Sequence, residues 1–573
     1  MKRSIYAFLI ILVFGCRNDC REVIPECEEN CIMLSELQTK HDYYLPVNLV
    51  NDIDNAEVEK IILNEEQPDF GYGQVLPLEK AGFYELIILY AGDREGSDTI
   101  LFTLNTSERE NAEWGIGVWV PQGFGTINLS GSEEIEVISP AHFLNEINIP
   151  FIFFAREGEA LIQTYSEASH TKSGEEFYIK RGVGSVNIDG AFVDDIMEFD
   201  IGGMIIQHSI SEKSGFDLEL SGEVTGSMEI PANSSVRITN DVHFADNASL
   251  NIGAGSLIAI DEGVNVYNEG PVVVAGTKEN PVLITCSEKN KFWGGFISTG
   301  INGTIEASYT IFCQSGYHDS QDYNWGHAQR QALFYTENST LSLENCYMTD
   351  HIGQIFYPLN STLHLTNILV QRAKTGGQLN HSVATVNNSI FTDFPDDSPV
   401  YRDEDNDALY IHASNVTIDH SLFMFAKDDG LDSGGNLGGT VTVNDSRFEA
   451  CFHEGAALSS KDEVSKTHTF NNCIFTNCGQ GLELGFSSPN HLVIANGCEF
   501  LNNYIGIRYG DNYSWAVVEG KMEILNSYSL YNGKDVWNMV RQEWSPKLSN
   551  MSFENTVISS YTSQYPGLEV INQ

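Results

Sequence analysis

Basic side chains are scarce in this sequence: 31 Lys and Arg face 79 Asp and Glu over 573 residues, a formal charge of −48. A surface so poor in cations cannot neutralise a phosphate backbone, which excludes a general nucleic-acid binder. It also repels anionic polymers wherever no cation or local basic patch intervenes. No two cysteines stand in a C-x-x-C pair, so the usual framework of a structural zinc site is missing. Beyond the N-terminus no apolar run reaches the roughly 18 residues that a membrane-spanning helix needs. Between 41 and 222 no helical pattern of ordinary length occurs either. With 42% hydrophobic and 11% aromatic residues, the chain can nonetheless bury real cores, so disorder is not the default.

The N-terminus reads "MKRSIYAFLIILVFGC": Lys2 and Arg3, an apolar run from Ile5 to Phe14, then Gly15 and Cys16. The run is the length of a signal h-region and too short to span a bilayer. Its end resembles a bacterial lipobox, which implies cleavage before Cys16 and lipidation of that thiol. The expectation is therefore an exported protein, lipid-anchored at the bacterial outer membrane or cell surface. Cys20, Cys27 and Cys31 come soon after, and an odd number leaves their pairing open.

Composition and pattern divide the rest into all-β segments. Residues 1–15 read as the signal peptide and 16–40 as a Cys-rich tether. Residues 41–110, with "GFYELIILY" and "DTILFTL" between Gly, Asp and Asn turns, read as a β-sandwich. Residues 111–222 continue as a second β-domain that spaces or braces the C-terminal part of the chain. From 223 to 573 the texture becomes short strands punctuated by Asn and Gly.

A repeat runs through that last part. One column reads "ENCYM", "TNILV", "NNSIF", "DHSLF", "NDSRF", "NNCIF", "NGCEF", its second residue falling at Asn345, Asn367, Asn388, His420, Asp445, Asn472 and Gly497. A second column reads Ile352-Gly353, Gly376-Gly377, Asp407-Ala408, Asp429-Gly430, Glu454-Gly455, Gln480-Gly481 and Ile505-Gly506. Such a period marks a coil repeat, in which each coil buries its apolar positions only by stacking on its neighbours. The region resembles the right-handed parallel β-helix of the pectin-lyase-like superfamily. Cys346, Cys473 and Cys498 share an inward slot with Ser389, Ser421 and Ser446, and read as small core residues.

The second column carries the chemistry. Asp407, Asp429 and Glu454 align on three consecutive coils, preceded by Asn406, Asp428 and His453. Stacked strands lie about 4.8 Å apart, so these acids form a ladder of like charges, which needs a raised pKa or a cation. Three residues further on stand Tyr410, Asp432, Ala457, Glu483 and Arg508, facing outward, whereas Leu409, Leu431, Ala456, Leu482 and Ile507 face inward. Two coils are swollen, one by "QSGYHDSQDYNWGHAQRQ" with His318, Asp322, Tyr323, Trp325 and His327, the other by "TDFPDDSPVYRDEDNDA". Loops on a rigid scaffold are where binding residues concentrate, and Trp325 suits stacking on a sugar.

The order "DNDAL", "KDDGL", "FHEGA", "GIRYG" is similar to the polygalacturonase family of glycoside hydrolases. The resemblance implies Asp429 as general acid, Asp407 and Asp428 as activators of water, His453 tuning the acid and Arg508 gripping the sugar. Glu454 intrudes beside His453, an extra coil precedes Arg508, and Gly510 stands where that family has a Lys. Three readings therefore remain open. The first is a glycoside hydrolase with Asp407, Asp428, Asp429, His453 and Glu454 as catalytic candidates, and Lys427, Asp432, Glu483, Arg508, Trp325 and Tyr410 as substrate-binding ones. The second is a polysaccharide lyase, with Ca²⁺ on Asp407, Asp429 and Glu454 neutralising a uronate while Lys427, His453 or Arg508 takes the proton. The third is a non-catalytic glycan-binding or structural surface protein.

Overall fold

The computed structural model describes residues 204–394, most of 405–538, the strand Met551–Phe553, and interrupted stretches between Cys31 and Ile201. The leader, Cys16, Cys20 and Cys27 lie outside the described residues. The chain divides into two compact units, Met1–Leu104 and Asn105–Gln573.

In the first unit, Cys31–Met33, Val47–Val50 and Val75–Leu78 make one sheet, and His41–Tyr44, Gly96–Asn105, Gly82–Tyr90 and Val58–Leu63 another. One core joins the two, with Leu49 and Leu78 from the first and Ile61, Leu86 and Ile88 from the second. The second unit opens with antiparallel sheets, among them Ile135–Ile138 against Ile149–Ala155. Ile138, Leu144, Ile147 and Ile152 share a core with Leu283, Ile311, Leu369, Ile390 and Leu422. This segment thus covers an outer apolar strip of the repeat, where bare apolar residues would otherwise face water.

From Leu218 onward the described residues form a parallel β-helix. The ladders are parallel throughout, save a short hairpin that pairs Asn324–Trp325 with Arg330 and Gln331. Each coil contributes three strands, for example Thr340–Glu344, Tyr347–Thr349 and Gln354–Leu359. The following coil repeats them as Thr362–Thr366, Leu369–Gln371 and Thr375–Asn380, in register.

The turns explain the Asn column. Asn345, Asn367, Asn388, His420, Asp445 and Asn472 all adopt φ between 46° and 53°, and Gly497 adopts 68°. Only Gly, and at modest cost Asn or Asp, visits that left-handed region routinely. Directly after it, Ser389 N–H donates to Ser421 Oγ, and Ser421 N–H to Ser446 Oγ. Cys346, Cys473 and Cys498 occupy the same slot, fully buried and unpaired with one another.

Inside, Phe391, Phe423, Phe448, Phe475 and Phe500 stack ring on ring at 4.8 to 5.2 Å. Their edges fill the space that a side chain at the neighbouring small slot would need. A Cβ on Gly455 would lie 2.9 Å from Phe475 and 2.7 Å from the Gly481 carbonyl, so this slot accepts only the smallest residues.

One interior level is polar. His468 and His491 stack edge-on at 4.8 Å, both 1% exposed, and His468 Nε2 and both His491 nitrogens lack hydrogen-bond partners. Burial lowers both, His491 to about 4, with Lys466 adding to the effect. Both are therefore neutral in the folded chain and must take up protons on unfolding in acid. Their contribution is fully present above pH 6.5 and is lost as pH falls towards 4. Between pH 6.5 and 4 the melting temperature of the unmodified protein is expected to drop relative to that of His491→Gln. Parallel curves for the two proteins would refute it.

Candidate functional site

The site lies on the sheet of the third strands: Thr375–Asn380, Tyr410–His412, Leu431–Ser433, Glu454–Ser460, Gln480–Ser487 and Ile505–Tyr509. Tyr410 pairs with Asp432, Asp432 with Ala457, Ala457 with Glu483 and Glu483 with Arg508. Three residues earlier the same register aligns Asp407, Asp429, Glu454, Gln480 and Ile505. Two coils differ from the sequence expectation. Gln354 pairs with Thr375, and Gln378 with Tyr410, so Gln354 and Thr375 fill the acid slot rather than Ile352 and Gly376. The small residues used to align those coils do not mark the hydrogen-bond register there. The inward residues Leu409, Leu431, Ala456, Leu482 and Ile507 are all at most 1% exposed.

The acids are buried rather than spread over an open face: Asp407 is 2% exposed, Asp428 4%, Asp429 6%, Glu454 1% and Glu483 6%. Asp407 and Asp429 each accept a backbone N–H from the next coil, and Glu454 accepts from the Gln480 side chain instead. Asp429 N–H donates to Asp407 Oδ1 at 3.3 Å, and Glu454 N–H donates to Asp429 Oδ1 at 2.9 Å. His453 Nδ1 stands 3.2 Å from Asp428 Oδ1, 3.4 Å from Asp429 Oδ1, and also contacts Glu454. Burial opposes charge on His453, but its hydrogen bonds to Asp428 and Asp429 prevail and raise it to about 10. Burial, with Glu454 and Asp428 adding repulsion, holds Asp429 well above the usual carboxylate range. Burial and the neighbouring Glu483 do the same to Glu454.

Arg508 closes the far end. Its Nη1 lies 2.8 Å from Glu483 and 3.3 Å from Glu454, and it donates to Gln480 Oε1 at 3.2 Å. Gln480 also bonds Glu454. At 2% exposure this guanidinium braces carboxylates from neighbouring coils instead of standing open to a ligand.

The first inserted loop reaches back over the sheet. Tyr323 packs on Tyr267 and Tyr335, whose ring stacks on Tyr357. Gln354 Nε2 donates to the carbonyls of Trp325 and Arg330. His327 N–H donates to Gln378 Oε1 at 2.6 Å, its ring lies 4.6 Å from that of Tyr410, and its Nδ1 is 3.0 Å from Asp405. Trp325 is 52% exposed and Tyr410 only 8%. Lys427 is half-buried at the coil edge.

Among the described residues, potential ligand atoms converge within 4.8 Å in two groups, His327 with Asp407 and Asp432, and Asp428 with Asp429 and His453. Neither is the trio Asp407, Asp429 and Glu454 read from the repeat. Sequence reasoning placed His327 in a swollen loop but not beside the acids, and missed Asp405 altogether; a His inside an oversized coil was the only cue.

No family model matches this chain, and no curated protein matches it. Among solved structures, the periplasmic alginate epimerase AlgG aligns with a TM-score of 0.26 at 9% identity, over 53% of this chain and 77% of that one. The A-module of the Azotobacter vinelandii mannuronan C-5 epimerase AlgE4 aligns with a TM-score of 0.28 at 9% identity, over 59% and 90% of the two chains.

The brace makes a direct prediction. Arg508→Met strands Glu454 and Glu483 without their cation and should cost roughly 3–5 kcal/mol in urea denaturation. Adding Glu454→Gln and Glu483→Gln to that variant should recover part of the loss. A cost below about 1 kcal/mol, the worth of an exposed pair, would mean that Arg508 braces nothing.

Proposed function

We propose that the protein is a polysaccharide-active enzyme, a glycoside hydrolase in which Asp429 is the general acid and Asp428 the nucleophile. The observation that carries this reading is the convergence of both carboxyls on His453 Nδ1, at 3.2 and 3.4 Å. Asp429, whose burial favours the protonated carboxyl, gives its proton to the glycosidic oxygen as the bond to the anomeric carbon breaks. Asp428, within 4.8 Å of it, stands at the short spacing of a retaining pair and attacks that carbon; the water that then releases the sugar gives its proton back to Asp429. His453 keeps its charge and holds both carboxyls in place. With a side-chain exposure of 19%, it marks the side from which a sugar reaches them. The surrounding acids and the charge of −48 favour a neutral glycan over a uronate polymer. The leader supports export and anchoring through Cys16, which would set the site against glycans at the cell surface.

The test is a panel of neutral, sulfated and uronate polysaccharides, scored for reducing ends and for the ultraviolet absorbance of unsaturated uronides. Reducing ends from neutral glycans are expected. Absorbance that a chelator removes would move the assignment to the calcium-dependent lyase, and silence across the panel to the binding protein. Asp429→Asn should abolish turnover while shifting the melting temperature by less than about 3 °C, because an amide oxygen still accepts the Glu454 N–H. A large loss of stability instead would make Asp429 structural.

A further inference from the structure

We infer that His327, Asp407 and Asp432 bind a divalent first-row transition ion, with Asp405 orienting the imidazole from behind. One potential ligand atom from each of the three lies within 4.8 Å of the others, the separation that a shared ion requires. The three come from separate parts of the chain. Asp407 and Asp432 belong to adjacent coils, whose register is fixed by the pairing of Tyr410 with Asp432. His327 arrives from the inserted loop.

That loop is built to deliver it. Tyr323 is seated between Tyr267 and Tyr335, and the hairpin at Asn324–Trp325 is held by Gln354. The bond from His327 N–H to Gln378 then fixes the backbone at the ligand itself. Asp405 sits 3.0 Å from Nδ1 of the same imidazole that converges with Asp407 and Asp432. A carboxylate behind a ligating imidazole sets its tautomer and raises its basicity, the usual outer partner of a metal-bound histidine.

Charge points the same way. Asp407 converges with Asp432, and its Oδ1 accepts the backbone N–H of Asp429 on the next coil, where Asp428 also stands. So many acids around a residue 2% exposed call for a cation. The other converging group differs, because His453 Nδ1 itself faces both carboxylates and supplies the positive charge. An imidazole beside two carboxylates suits Zn²⁺ or Mn²⁺, whereas Ca²⁺ prefers oxygen ligands alone. None of these three residues belongs to the Asp428, Asp429 and His453 group on which the proposed acid and nucleophile rest, so failure of one assignment leaves the other standing.

The experiment uses untagged full-length protein, stripped with a chelator and titrated with Zn²⁺, Mn²⁺ or Ca²⁺, with bound metal measured by mass spectrometry alongside the melting temperature. About one equivalent of Zn²⁺ or Mn²⁺ is expected, with a rise in melting temperature of several degrees at saturation. His327→Ala, a change at a half-exposed loop residue that the β-helix core does not depend on, should weaken binding at least 100-fold. Asp405→Asn should weaken it about 10-fold. Affinity unchanged in His327→Ala, preference for Ca²⁺, or no bound ion at all would each overturn the assignment.

Discussion

In-register stacking of one coil on the next, about 4.8 Å apart, is the constraint on which everything else here depends. It makes each side chain meet its counterpart from the neighbouring coil. For apolar residues this is favourable, as the column from Phe391 to Phe500 shows. For Ser389, Ser421 and Ser446 it lets the hydroxyl of one coil accept from the turn of the coil before it. For Asp407, Asp429 and Glu454 it forces carboxylates together. The structure offsets that repulsion with backbone N–H donors from the next coil and with two cations, His453 and Arg508.

The neighbouring coils provide an internal control. Gln354, Thr375, Gln480 and Ile505 occupy the same slot on the same backbone with no charge. The β-helix therefore does not need acids there, and an amide could accept the same N–H bonds. Three acids on successive coils, each requiring compensation, are costly for folding alone. A need for proton transfer or cation binding accounts for them in a way that stability does not.

The same geometry decides how much could be read from the sequence. A solenoid is close to one-dimensional, so whatever repeats with the coil is visible as a column. The Asn turns, the inward Leu and Ile positions, the acid slot and the outward line from Tyr410 to Arg508 were all legible for that reason. Where the cue was a small residue rather than a repeated one, at Gly353 and Gly376, the alignment slipped by two residues and by one. Burial was not legible either. Arg508 and Glu483 stand on the outward side of a strand, yet they are covered and paired with each other, with Arg508 also bonding Glu454 and Gln480, which no column of the sequence marks.

That asymmetry bears on where specificity resides. The backbone of a coil pairs with the coils directly above and below it, and even the long side chain of Arg508 reaches only two steps, to Glu454. His327 goes further. Its loop precedes the strand Arg330–Glu337, and its ring lies against Tyr410, on the strand three coils later. Only an insertion can bring a side chain across that distance and set a nitrogen among acids that the repeat has aligned. The repeat can thus supply a row of carboxylates on a rigid face, but it cannot by itself distinguish one position in the row from the next. The inserted loop does so by marking the Asp407–Asp432 step, and it is the part of the site most open to change without cost to the fold.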